Sequence, residues 1–243
     1  RTAAARWLTD GQWVLEVHPY PEFGTTASGA DRSKAPTPGT PPEARFPAIA
    51  RATLSNGLKV VLAERHSIPQ VNMTLLVDAG YAADQFATPG TASLAVDMMD
   101  EGTTRLNALQ ISDTLLQLGA QLGTSSQLDA SRVFLSAIKD KLDPALNIFA
   151  DVILNPSFPQ ADFQRQQRQR LARIQREKVQ PVQMALRVFP QLLYGANHAY
   201  GNPLTGSGTE QSVSQMTRED LARFHRTWVK PNKDRKSTRL NSS

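Results

Sequence analysis

The sequence predicts an α+β fold: a two-layer sandwich of an antiparallel or mixed sheet with helices on one face. Two observations predict it. Strand-like segments gather between residues 51 and 80 around an Asn-Gly turn, and strongly helical periodicities dominate from Pro89 onward, without the regular strand-helix alternation of a parallel sheet. The segment "TLSNGLKVVLAE" reads as strand, turn and strand, because Asn and Gly readily take the positive φ that a tight hairpin demands. "VNMTLLVDAG" alternates as a third strand ending at Gly80.

Pro89 and Gly90 open "PGTASLAVDMMDEGTTRL", residues 89–106, which reads as a helix. "NALQISDTLLQLGA" follows as a second helix, with Leu109, Ile111, Leu115, Leu116 and Leu118 at helical spacing and a stop at Gly119. "AQLGTSSQLDASRVFLSAI" supplies two more strands. "KLDPALNIFADVILNP" is a helix with Leu146, Phe149, Ala150 and Ile153 on one face, ended before Pro156. The long "PQADFQRQQRQRLARIQREKV" helix and "PVQMALRVFPQLLYG" come next. Thr217 begins "TRED", a capping box for the last helix.

Four regions divide the 243 residues. Residues 1–20 look like the end of another unit: a helix end, "RTAAARWL", then strand-like "QWVLEVHPY". Residues 21–46 are rich in Pro, Gly, Ser and Thr and read as a linker. Residues 47–233 carry the periodic patterns of a domain. Residues 234–243 hold one large apolar residue, Leu240; "DRKSTRLNSS" resembles translated sequencing adapter, and no function is assigned to it. The start at Arg1, with no signal segment, is read as a fragment of a longer chain.

Composition narrows the function. With 40% hydrophobic and 20% charged residues the chain has ordinary globular balance. No apolar run reaches the roughly 18 residues that suggest a membrane span. The net charge of +5 invites a nucleic-acid reading, but the densest basic run, Gln164 to Lys178, is a helix interleaved with Gln, and a solvated face is the expectation. No nucleic-acid partner is expected. The chain has no Cys, so disulfides and Cys-ligated zinc are excluded. "GSGTEQS", from Gly206, has too few glycines and no following Lys to cradle phosphate. His18, His66, His198 and His225 show no metal-ligand spacing and are read as surface or capping residues.

From Ala50 to Lys233 the order of elements resembles the insulinase/pitrilysin zinc metallopeptidases, family M16, which include the mitochondrial processing peptidase subunits. The opening hairpin and "VDAGYAAD" resemble that family's first strands. "LGAQLGTSSQLDASRVFLSAI" is similar to its Gly-Ala segment, and "AYGNPLTGSGTEQSVSQMTREDLARFHRTWVKPNK" to its closing helix. "PGTASLAVDMMDEGTTRL" lies where the family has Gly-Leu-Ala-His-Phe-Leu-Glu-His-Met-Leu-Phe-x-Gly-Thr. There, two His bind zinc and the Glu between them activates water, all on one helical face.

The resemblance places those three roles on Ser93, Val96 and Asp97. The distal ligand, a Glu eight residues before a Pro, falls on Arg173, and 173 − 97 = 76 is about the family spacing. Gly90, Ala92, Leu94, Met98, Gly102 and Thr103 remain as fold-making residues. The resemblance therefore implies a non-catalytic domain with no catalytic residue and no metal or other cofactor of its own. Zinc would belong to a partner domain, either another M16-like domain of the same chain or a paired subunit. It would form chamber wall and aid binding of a peptide substrate while the partner cleaves. The alternative is a scaffold or assembly subunit of a wholly inactive protein. A bacterial periplasmic or cell-envelope location is expected, with the signal segment upstream.

Asp97 beside Asp100 and Glu101 could suggest a hard-cation site, but Asp97 and Glu101 read as an exposed acidic edge; the other open reading of Asp97 is an ion pair with Arg173 in the vacated zinc pocket.

Overall fold

The computed structural model describes residues 14–18, 39 and 47–231. The chain divides into two units, residues 1–46 and 47–243. In the first, residues 14–18 are exposed and belong to no strand, contrary to the reading of "QWVLEVHPY". A strand needs a neighbour to take its amides and carbonyls, and the described residues of that unit supply none. The helix end at 1–8, most of the 21–46 linker and the 234–243 tail lie outside the described residues.

In the second unit, β1 (Ile49–Thr53) and β2 (Lys59–Ala63) pair antiparallel. Gly57 at the turn takes φ 87°, and the Asn56 Oδ1 accepts from the Leu58 amide at 3.1 Å. The hairpin forms its own two-stranded sheet, separate from the main one, and both strands are exposed throughout. The main sheet has the order β3–β5–β4, built from β3 (Gln70–Val77), β4 (Gln121–Ser126) and β5 (Ser131–Ile138), all antiparallel.

Alternation along β3 and β5 sends Val77, Val133, Leu135 and Ala137 inward and leaves Leu76, Phe134 and Ile138 on the outer face. Phe134 lies across Gly123 of β4, where any Cβ would meet its ring at 2.3 Å.

The inner face is covered by helices. α1 (Thr91–Asp97) is buried over its first six residues and packs on β4 and on α7 (Arg218–Trp228). The stretch 89–106 is thus a shorter helix than its sequence suggests. It passes into a 3-10 turn at Met99–Glu101 and then into two isolated bridges, Gly102 with Asn107 and Thr103 with Pro156. Gly102 follows the 3-10 turn with a φ of 155°, a conformation that strains other residues, and a Cβ there would stand 3.0 Å from the Pro159 side chain.

α2 (Ala108–Leu118) begins at an Asn107–Gln110 capping box and stops at left-handed Gly119. Its buried stripe is Ile111 and Leu115. Leu109 and Leu116, counted with the core on spacing alone, are 74% and 80% exposed. They lie about 160° and 140° around the helix from Ile111, at 100° per residue.

α3 (Leu142–Leu154) buries Ala145, Ile148, Phe149, Val152 and Ile153; Leu146 and Ala150, placed on that face by spacing, are only half-buried. α4 (Gln160–Glu177), α5 (Pro181–Tyr194) and the short α6 (Glu210–Gln215) complete the unit. The core of Leu94, Met98, Leu135, Val152, Leu221 and their neighbours sits between sheet and helices. No helix among the described residues is long and apolar enough to cross a membrane.

The candidate functional site

The positions singled out by the sequence lie where α1 meets α4 and the loop at Thr205–Thr209. Asp84 sets the start of α1: its two carboxylate oxygens accept the amides of Gly90 at 2.7 Å and Ala92 at 2.8 Å, satisfying donors that the helix leaves open. Burial pushes this carboxyl up to about 7, against the lowering influence of the Ala92 and Gly90 amides and of the Arg170 guanidinium. Ser93 and Val96 are buried on α1. Gly206 presses on Ser93, since a Cβ at 206 would stand 2.9 Å from the Ser93 Oγ.

Asp97 accepts a hydrogen bond from Arg170 Nη2 at 2.6 Å, and Arg170 Nη1 donates to the Gly206 carbonyl at 3.4 Å. Arg170 is 7% exposed, so a guanidinium fills the space between α1, α4 and the loop. Burial pushes the Asp97 carboxyl up and the Arg170 guanidinium down, while their attraction opposes both shifts.

Of the two open readings of Asp97, the ion pair forms, but with Arg170 and not with Arg173. Arg173 Nε instead donates to Glu177 Oε1 at 2.9 Å, one helical turn along α4. Arg170 precedes Arg173 by one turn on the same helix face and is the residue that reaches Asp97.

Asp97 and Glu101 do not form the exposed acidic edge expected of them. Asp97 has Arg170; Glu101 accepts from Arg165 at 2.5 Å and from Gln166. Burial raises the Asp100 carboxyl to about 6, helped by the nearby Glu101 and Asp97 carboxylates.

The basic α4 has the expected solvated face, on which Gln164, Arg168, Gln169 and Arg176 are exposed, and its opposite side is tied down. Its far end is a buried knot: Glu177 Oε2 accepts from Arg187 Nη1 at 2.7 Å and from Ser207 Oγ at 2.6 Å, and Arg187 Nη2 reaches the Gly208 carbonyl at 2.8 Å. These bonds hold the Glu177 carboxyl below its usual range against the opposing effect of burial. They also pin the "GSGTEQS" loop, whose Thr209–Ser212 pair is a capping box opening α6. That helix start was missed in the sequence, although Thr209 followed three residues later by Ser212 is a recognisable signal.

His225 takes the capping role among those expected of it, at the C-terminal turn of α3. Half-buried, it bonds through Nε2 to the Ile153 carbonyl at 2.7 Å and meets Phe158 edge to face; burial lowers its pKa. His198 also caps, accepting the Tyr200 amide at 3.0 Å, and His66 is exposed.

This set does not fit a zinc ion. A zinc-peptidase site needs three protein ligands and a carboxylate base. Here α1 offers a hydroxyl packed against Gly206, an aliphatic side chain with no proton to exchange, and a carboxylate whose Oδ2 is engaged by a buried cation. Among the described residues no three His, Cys, Asp or Glu side chains come together as a metal-binding group. The arrangement is suited to holding α1, α4 and the loop in register by ion pairing.

Comparison with known proteins bears on the family and the fold. The model of the insulinase family, peptidase family M16, matches residues 59–207. An uncharacterized zinc protease of Mycobacterium leprae is 26% identical over 182 residues, covering 75% of this chain and 40% of its own length. A probable mitochondrial-processing peptidase subunit beta of Arabidopsis thaliana is 25% identical over 177 residues, 72% of this chain and 32% of its own.

Among solved structures, a peptidase M16 inactive domain from Pseudomonas fluorescens is 29% identical with a TM-score of 0.70, covering 73% of this chain and 43% of that one. The periplasmic protease PqqL of Escherichia coli, 20% identical with a TM-score of 0.65 over 76% of this chain and 21% of that one, shares the fold. The chain spans less than half the length of each of these relatives.

Proposed function

The chain belongs to the insulinase family of peptidases, family M16, and from that premise we propose that it is a non-catalytic domain of a larger M16 protein. One observation carries the reading: where the resemblance puts the family's two His, its Glu base and its distal Glu, this chain has Ser93 and an Asp97 bound to Arg170, Val96, and an Arg173 bound to Glu177. The domain's role is then to form chamber wall and help hold an extended peptide, while another M16-like domain, in the same chain or a paired subunit, carries zinc and cleaves. Residues 1–20 are the end of such a preceding domain, and 21–46 the linker to it. The similarity to a Pseudomonas fluorescens domain described as inactive supports the reading. The periplasmic setting of the Escherichia coli neighbour supports a periplasmic or envelope location.

The test is peptide cleavage by the full-length protein supplied with zinc. Chelator-sensitive cleavage that disappears when a His-x-x-Glu-His helix outside this segment is mutated supports the chamber-wall role. Cleavage abolished by substitutions at Ser93 or Asp97 alone, with that helix intact, refutes it. A full-length protein that binds no zinc and cleaves nothing favours the alternative, a scaffold or assembly subunit.

A further inference from the structure

The end of α4 and the first turn of α5 flank an open cleft of about 200 Å³ lined by Arg173, Arg176, Glu177, Gln180 and Gln183. The Glu177 carboxylate within it is already satisfied, by Arg173 on one oxygen and by Arg187 and Ser207 on the other. Arg173 uses only its Nε in that contact, and its two terminal nitrogens make no hydrogen bond among the described residues. Arg176, exposed and one turn further along α4, makes no side-chain hydrogen bond or ion pair among the described residues.

Arg173 and Arg187 thus share one carboxylate, and Arg176 adds a further guanidinium to the cleft lining with no anionic partner among the described residues. Two glutamine carboxamides add neutral donors, and no side chain caps the amides that open α5. The C-terminal dipole of α4 opposes an anion here, but it amounts to about half a charge against two full ones.

We propose that this cleft is a carboxylate-binding subsite, in which Arg173 and Arg176 grip a carboxylate of an extended peptide. A planar guanidinium fork matches a carboxylate in geometry as well as charge. The carboxylate is either the peptide's C-terminus or an acidic side chain. The inference rests on the peptide-binding reading above, but binding to this chain is measured without cleavage, so either can fail alone.

The experiment is fluorescence polarisation with the 243-residue chain and three dye-labelled hexapeptides. One has a free C-terminus and neutral side chains, one is amidated with a single internal Glu, and one is amidated with no acidic group. Binding of the first or second, but not the third, is expected and assigns the source of the carboxylate. Arg176→Gln weakens that binding about fivefold or more at low salt, as for loss of one charge-assisted contact. Arg168→Gln, an exposed arginine eight residues earlier on α4 and about 12 Å away at 1.5 Å per residue, leaves it unchanged. The proposal is overturned if no peptide binds, if the third binds as well as the others, or if the two variants weaken binding equally.

Discussion

Helices α4 and α5 follow one another in the chain and invert the usual relation between polarity and burial. α4 is rich in Arg and Gln, yet it buries Arg170 and Glu177 beside Phe163 and Ile174. α5 is largely apolar, yet Val182, Val188, Phe189, Leu192 and Leu193 are each 53% to 77% exposed, and Pro190 is its buried residue. α5 is held through polar groups: Arg187 ties it to Glu177, Ser207 and Gly208, and the Leu186 carbonyl accepts the Leu204 amide at 2.9 Å. The contrast teaches that in this unit the α1–α4–loop junction is specified by directional pairing rather than by apolar area.

Breaking the buried knot should have the largest effect. Glu177 is 4% exposed and Arg187 has an 11% exposed side chain, so truncating either strands a buried charge. Glu177→Ala or Arg187→Met alone should destabilise the domain by about 3–5 kcal/mol, and the double substitution by clearly less than the sum. Urea unfolding of the four proteins measures this, and additive losses would dissolve the contrast between the two helices.

A pH series sharpens the same point at the other end of the junction. The Asp84 carboxyl, raised from 3.8 to about 7, holds its proton more tightly folded than unfolded. Its contribution to stability is therefore full below about pH 4 and is lost progressively as pH rises toward 7. Asp84→Asn should flatten that part of the stability profile, read from thermal unfolding between pH 4 and 8; an unchanged slope would remove Asp84 from the account.

Smaller still is Arg170→Met, which replaces the buried cation by an apolar chain of similar length. Because the Asp97 side chain left behind is 40% exposed, the cost should be about 1 kcal/mol rather than the full penalty of a stranded buried charge. A loss as large as that of Glu177→Ala would show that Asp97 is more deeply enclosed than its exposure indicates. Least of all, Leu192→Gln on α5, where the leucine is 77% exposed, should change stability by no more than about 0.5 kcal/mol.

The legible parts of the fold are those specified by local chemistry. Asn56 and Gly57 mark the hairpin turn, Asn107 and Gly119 bracket α2, and Thr217 with Asp220 opens α7. Less legible was whatever depends on which of several like residues reaches across space. Counting back from Pro181 places Arg173 at the distal ligand position, but spacing alone does not say that Arg170, one turn earlier, takes Asp97 while Arg173 turns to Glu177.

Buried charges escaped for a related reason. Asp151, with a side chain wholly buried against Arg105 and Asn155, was not singled out, and Glu177 lies in a helix read as a solvated face, because a sequence shows a charge without its partner. His225 looked isolated in sequence, since its partner, the Ile153 carbonyl, lies 72 residues away.

The central claim is that the family's metal position in this chain is occupied by an ion pair and does not take zinc. Its most direct test is elemental analysis of the purified chain after equilibration with zinc and removal of excess ion, beside a variant carrying Ser93→His, Val96→Glu, Asp97→His and Arg173→Glu. The account predicts well below one zinc per chain for the natural sequence and a gain in the variant, where two imidazoles and a carboxylate replace the hydroxyl, Asp97 and the cation. One zinc per natural chain, lost on Asp97→Ala, would contradict it.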